Sequence, residues 1–266
     1  MIASVLAYLR QAINKIVHGV GYWVCGGIKE QLQEVYMIRA VIFDMDGVLI
    51  DSEIVYLDEM YKKLAVTHPW VKREDLFPIV GSTNRRTKEI VFEVAGEPMD
   101  SVSFNEEYKM LWESCNVSYP DILRKEAVPL LKALNEKGYL TALASSTDTK
   151  GIERVVTECG IKGYFRYIIS GDMFRESKPN PEIYLHTAEK LGCMPSECFA
   201  VEDSTYGVTA GARAGMTVAA VRDDRFNFDQ SLANYYIDTL DEVLPIVESL
   251  NMEEAAALGC RKCGKL

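Results

Sequence analysis

The run Ala40-Val41-Ile42-Phe43, followed at once by Asp44-Met45-Asp46-Gly47-Val48, constrains this chain more than any other stretch. Four consecutive apolar residues of β-prone type read as a buried strand, because a strand covered on both faces shows no polar alternation. Open α/β sheets bind ligands beyond the carboxyl ends of such strands. Two acids one residue apart at that end, with a glycine that frees the backbone to turn, suit a Mg²⁺ site. The hard cation takes oxygen ligands, and its charge offsets the repulsion between the acids and a phosphate. Taken alone, the same residues also suit an acidic turn after a strand.

The rest of the chain supplies the sheet that such a strand needs. After position 121, strands are expected at 139–144, 167–170, 199–202 and 217–221, alternating with helices at 129–137, 152–159, 181–191 and 207–214. Gly138, Gly160, Gly192 and Gly215 stand at the ends of those helices, where a left-handed residue stops the ladder. Asn180 and Pro181 open the third. Alternation of this kind predicts a parallel sheet covered by helices on both faces, a Rossmann-like α/β fold. Between the first strand and this unit the pattern is helical: Ile54, Leu57, Met60, Tyr61 and Leu64 recur at helical spacing, as do Ile90, Val91 and Val94. Gly81-Ser82-Thr83 reads as a turn into a helix N-cap. The expected organisation is a core at 37–50 and 122–250, a helical insert at 51–121, and a loosely held tail at 251–266.

A chain of 266 residues can bury a good core. A formal net charge of −10 argues against a general nucleic-acid binder, since no basic excess exists to neutralise a phosphate backbone. It does not argue against a small anionic substrate, because a metal and one or two lysines make a locally positive pocket. No run of about 18 apolar residues occurs, so no membrane-spanning helix is expected. Seven cysteines, an odd and scattered number, fit a reducing, cytoplasmic compartment better than a disulfide framework. Cys260 and Cys263 form a Cys-x-x-Cys pair without a second pair to complete a zinc site, and free thiols are the expectation. Residues 1–36 break their apolar pieces with Arg10, Lys15 and several glycines and are not expected to act as a signal peptide. Met37 opens directly into the first strand and is expected to be the functional start, the alternative being an amphipathic N-terminal helix.

The run from Phe43 to Ser52 resembles the first motif of the haloacid dehalogenase-like phosphohydrolases. Three further stretches resemble the remaining motifs in the right order: Leu143-Ala144-Ser145-Ser146, Ser177-Lys178-Pro179-Asn180-Pro181-Glu182, and Val201-Glu202-Asp203-Ser204 with Gly207 and Gly211. The resemblance spans 39–244 and is strongest to the branch holding β-phosphoglucomutase-like proteins and small sugar-phosphate phosphatases. It implies that the helical insert is a cap domain over the core.

The resemblance also implies roles. Asp44 would be the nucleophile that forms an aspartyl-phosphate, and Asp46 the acid for the leaving oxygen and then the base for water. Asp46 would meet Mg²⁺ through its backbone carbonyl, which leaves its carboxylate free for proton transfer. Ser145 and Ser146, ending a strand before a helix, would hydrogen-bond phosphoryl oxygens, and Lys178 would neutralise both the nucleophile and the transferring group. Asp203 is expected to bind Mg²⁺ directly, with Glu202 a ligand or an acceptor for metal-bound water. An acid at position 46 favours phosphate esters over C–Cl or C–P bonds.

The chain departs from the mutase pattern at three places. Tyr56 stands where a histidine is usual, Asn84 and then Arg85 where an arginine follows the cap glycine, and Asp148-Thr149 where Lys-Asn is usual. Tyr56 and Arg85 remain candidates for touching substrate. The expected protein is a Mg²⁺-dependent phosphatase, a monomer or small homo-oligomer, that acts on a small phosphorylated metabolite such as a sugar or polyol phosphate. The alternatives are a phosphosugar mutase and a non-catalytic binding protein.

Overall fold

A computed structural model of the chain describes residues 37–80, 82, 84–113 and 117–263, with the side chains of all of these but 84, 111–113 and 257–263. The expectations for residues 1–36, for Gly81 and Thr83, and for the thiols of Cys260 and Cys263 therefore fall outside the described residues.

Six strands form one parallel sheet: β1 (Ala40–Phe43), β2 (Leu140–Ser145), β3 (Tyr167–Ser170), β4 (Cys198–Glu202), β5 (Thr217–Val221) and β6 (Tyr235–Ile237). Their spatial order is β3-β2-β1-β4-β5-β6. The chain moves outward from β1 through β2 to β3, then crosses back to lay β4 on the other side of β1. The strand order thus reverses at β1, which opens a crevice at its carboxyl end. Register aligns the strands there: Phe43 lies beside Leu143 on one side and Val201 on the other.

Alternate residues of each strand face opposite layers. On one side Val41, Phe43, Leu143, Phe199 and Val201 pack against α5 (Ala127–Glu136), α6 (Thr149–Glu158) and α9 (Val243–Cys263). On the other, Ala40, Ile42, Ala142, Ala144 and Ala200 meet α7 (Glu182–Leu191) and α8 (Thr205–Arg213). Small residues make up most of that second face, and they let α8 approach closely. A Cβ on Gly211 would lie 2.9 Å from a Val218 methyl and 3.4 Å from Ala200.

The segment between β1 and α5 holds α1 (Ser52–Thr67), a 3₁₀ stretch at Arg73–Ile79, α2 (Asn84–Ala95), α3 (Val102–Glu113) and the single turn α4 (Tyr119–Ile122). Leu57, Met60, Leu64, Leu76, Val91, Phe92 and Phe104 form a buried cluster of their own there. The chain enters and leaves this segment side by side: Asp51 N–H donates to Ile122 O (2.8 Å), and Arg124 N–H donates to Leu49 O (2.9 Å).

Two features differ from the sequence reading. The short strand β6 was not expected, since three residues carry too little pattern to stand out. The tail expected from 251 onward is helical: α9 runs to Cys263, through a stretch of Glu, Ala, Met and Leu, all good helix formers. Asn251 fastens it to the start of β1, accepting from Ile38 N–H (2.7 Å) and donating to Ile38 O (3.0 Å).

Candidate active site

Two neighbouring strand ends deliver the acids. Asp44 follows β1, Glu202 ends β4 beside it and Asp203 comes next; all three are buried. One carboxylate oxygen from each lies within 4.8 Å of the others. Lys178 comes to the same point from the loop before α7. Its Nζ donates to Asp44 Oδ1 (2.6 Å), Glu202 Oε1 (2.6 Å) and the main-chain oxygen of Ala144 (2.9 Å). Those three bonds use all the ammonium donors, and the lysine is buried with them.

Burial sets the electrostatics. It pushes the Asp44 carboxyl up to about 8, with Glu202 and Asp46 adding to the rise and Lys178 pulling against it. Asp203 is held well above the ordinary carboxylate range by burial and by Glu53, Asp44 and Glu202. The Lys178 ammonium is kept charged, because the attraction of Asp44 and Glu202 outweighs its own desolvation. Three buried carboxylates therefore face one ammonium. An all-oxygen donor set with that excess of negative charge fits a hard divalent cation such as Mg²⁺.

Asp46 stands apart from this group. Ser52 Oγ donates to its Oδ1 (2.6 Å) and Thr147 Oγ1 to its Oδ2 (2.7 Å). The two hydroxyls fix the half-buried carboxylate in one orientation, at the mouth of a cavity of about 1030 Å³ that Asp44, Lys178 and Asp203 also line. The loop after β2 is clasped in turn. Ser145 Oγ accepts from Thr147 N–H (3.1 Å), Ser170 Oγ donates to Thr147 O (2.7 Å), and Ser146 Oγ accepts from Ser177 Oγ (3.2 Å).

Two glycines leave room for the acids. Gly47 has φ +77°, and a Cβ there would sit 2.0 Å from Asp203 Oδ2; one on Gly207 would sit 1.9 Å from Glu202 Oε2. The first turn of α8 is capped by Ser204, whose side chain accepts from Gly207 N–H. Asp203 is thus not spent as a helix cap.

The structure brings Asp44, Asp46, Ser145, Ser146, Lys178, Asp203 and Tyr56 to one cavity, with Glu202 beneath. Tyr56 Oη lies 3.0 Å from Tyr119 Oη. Arg85 reaches only the rim: its side chain is 91% exposed and its Nε donates to Glu89 (3.1 Å). Several supporting residues had no reading in the sequence. Tyr184 donates to Glu202 Oε1 (2.5 Å), Arg124 donates to Gly47 O (2.8 Å), and Gln230 donates to the main-chain oxygens of Asp203 and Val221. Only Thr147 carried a signal, as a third hydroxyl in the Ser-Ser-Thr loop.

Residues 38–215 match the model of the haloacid dehalogenase-like hydrolase family. The chain is 34% identical over 185 residues to the phosphorylated carbohydrates phosphatase of Thermotoga maritima, covering 67% of this chain and 82% of that protein. It is 32% identical over 221 residues to hexitol phosphatase B of Escherichia coli O157:H7, covering 77% and 94%. The solved structure of beta-phosphoglucomutase from Clostridium difficile shares the fold, with a TM-score of 0.67 at 24% identity over 83% of this chain and 100% of that one.

Proposed function

This chain belongs to the haloacid dehalogenase-like hydrolases, and from that premise we propose that it is a Mg²⁺-dependent phosphatase acting on small sugar or polyol phosphates. The observation that carries the reading is the pairing at the end of β1. The Asp44 carboxylate has Oδ1 tied to Lys178, and a second carboxylate, Asp46, is held two residues away by hydroxyls rather than by cations.

The two acids divide the work. A carboxylate oxygen of Asp44 attacks phosphorus while the bond to the leaving oxygen breaks, and Asp46 gives that oxygen its proton. Asp46 then takes a proton from water, the water oxygen attacks phosphorus, and the bond to Asp44 breaks to release phosphate and restore both carboxyl groups. Lys178, which holds Oδ1, also offsets charge on the phosphoryl oxygens as it grows. Ser145, Ser146 and the main-chain N–H groups of their loop bind those oxygens. Mg²⁺, held by Asp44, Asp203 and the main-chain carbonyl of Asp46, would add positive charge against the same oxygens. Glu202, already accepting from Lys178 and Tyr184, holds the lysine in place and would orient the oxygen ligands around the cation.

The helical insert at 51–121 serves as the cap that closes on substrate, with Tyr56 facing the cavity from α1. Free thiols at Cys159, Cys193 and Cys198 support a cytoplasmic location. Among the described residues no helix is long and apolar enough to cross a membrane.

The test is phosphate release from sugar phosphates, polyol phosphates and nucleotides with Mg²⁺, wild type beside Asp44→Asn. Release that requires Asp44 and favours a few sugar or polyol esters is expected. Conversion of β-glucose 1-phosphate to glucose 6-phosphate without free phosphate would make the protein a mutase instead.

A further inference from the structure

The cavity extends beyond the two acids, along the first turns of α6. Lys150 and Arg154 lie four residues apart there, on one face of the helix, and both line the same cavity as Asp44. Thr147, which holds Asp46, comes just before this helix. At about 1.5 Å of rise per residue, Lys150 and Arg154 follow it within roughly 10 Å of axis, the span of a leaving group of a few carbons.

The two cations keep donors for a ligand, although Arg154 is ion-paired with Glu158. Among the described residues Lys150 makes no ion pair. The neighbouring acids are engaged elsewhere: Asp148 accepts from Gly151 N–H (2.8 Å), and Asp172 accepts from Thr149 N–H (3.0 Å) and its hydroxyl (3.1 Å). Glu53 also lines the cavity and is the acid that faces it from the helical insert. Arg154 uses only Nε, toward Glu158 (2.7 Å), so its two terminal nitrogens keep their donors.

Arg154 is also fixed in place. Its Cζ lies 5.0 Å from the ring centroid of Tyr119, and the Tyr119 hydroxyl meets that of Tyr56 on α1. A guanidinium stacked on a phenol and pinned at Nε is a planar fork held ready for an oxyanion.

We propose that Lys150 and Arg154 form a recognition site for a second anionic group, carboxylate or phosphate, carried by the leaving group of the phosphate ester. Tyr119 is a positioning residue for that fork, through its ring. The inference rests on the phosphatase reading, and it narrows the substrates from sugar phosphates at large to those with a second oxyanion.

The experiment compares matched esters. Kinetics are measured with 2-phosphoglycolate and with ethylene glycol monophosphate, and with a sugar bisphosphate and its monophosphate, for wild type, Arg154→Gln, Lys150→Gln and the double variant. Wild type is expected to prefer the doubly anionic member by about ten- to a hundredfold in kcat/KM, chiefly through KM, as one or two charged hydrogen bonds supply. The double variant should erase that ratio. Preference for the carboxylate pair alone, or for the bisphosphate alone, identifies which oxyanion the site takes. Tyr119→Phe should keep the ratio and Tyr119→Leu should reduce it, a split that a merely structural tyrosine would not show. Equal kcat/KM within each pair, or a ratio untouched by the double variant, overturns the proposal. Calorimetry of 2-phosphoglycolate and ethylene glycol monophosphate binding to Asp44→Asn protein, with and without the α6 changes, reads the site without turnover. A binding difference there, beside a wild type that releases no phosphate, would sink the phosphatase reading and leave the anion site standing.

Discussion

Glu202 occupies the space that a side chain on Gly207 would need: a Cβ there would fall 1.9 Å from Oε2 and 2.1 Å from the carboxyl carbon. The helix after β4 is seated against the acid that holds Lys178. Packing of α8 and the charge arrangement of the site are therefore one feature.

Gly207→Ala tests this coupling. Helix propensity alone favours alanine over glycine by about 1 kcal/mol, whereas overpacking a filled site costs about 1–3 kcal/mol. The displaced carboxylate also carries bonds from Lys178 and Tyr184. The expected result is a net loss of stability and a fall in turnover of more than about tenfold. A variant with a higher melting temperature and full activity would show that Glu202 moves without cost.

Asp44→Asn removes the nucleophile while nearly keeping its shape. Lys178 retains Glu202 and Ala144 O as acceptors, so the fold should persist by circular dichroism. Turnover should drop by at least about a thousandfold. Activity near wild type would take Asp44 out of the nucleophile role.

Asp46→Asn should slow esters of sugar alcohols by about 10²–10⁴-fold and p-nitrophenyl phosphate far less, because p-nitrophenolate leaves without a proton. Thr147→Val, which removes one of the two hydroxyls on Asp46, should show the same selectivity at about tenfold. Equal losses for both leaving groups would argue against a proton donor at this position.

Acidity and metal binding are linked with a definite sign. Asp44 is lifted to about 8 in the folded chain, against about 3.9 for an unperturbed aspartate. Between those values the folded protein keeps a proton that the unfolded chain has lost, so metal-free stability falls as pH rises from about 4 to 8 and then levels off. Mg²⁺ must displace that proton. Its stabilising shift in melting temperature should be larger at pH 8.5 than at pH 6, and EDTA should abolish both that shift and activity. An equal shift at the two pH values would contradict the linkage.

The motifs were legible because each packs its chemistry into a few adjacent residues whose local pattern also fixes where they stand. An apolar run that ends in Asp44, and another that ends in Glu202 and Asp203, states both the strand and its cargo. Lys178 was readable from the proline-rich turn around it. Tyr184, Arg124 and Gln230 were not, since each does its work on a residue 18 to 77 positions away and resembles an ordinary surface or core residue in its own surroundings. Thr147 shows the boundary: its loop could be read, but its bond to Asp46, 101 positions earlier, could not.

The strand–helix alternation, the identity of the four acids and the lysine, and the family they imply can all be read along the chain, because periodicity and motif are properties of neighbours in sequence. That one ammonium serves Asp44 and Glu202 together, that Gly207 is a glycine for the sake of a carboxylate, and that Lys150 and Arg154 open into the same cavity as the nucleophile emerges from the folded chain alone. Those are distances between strand ends, and they exist only once β1, β2 and β4 lie in register.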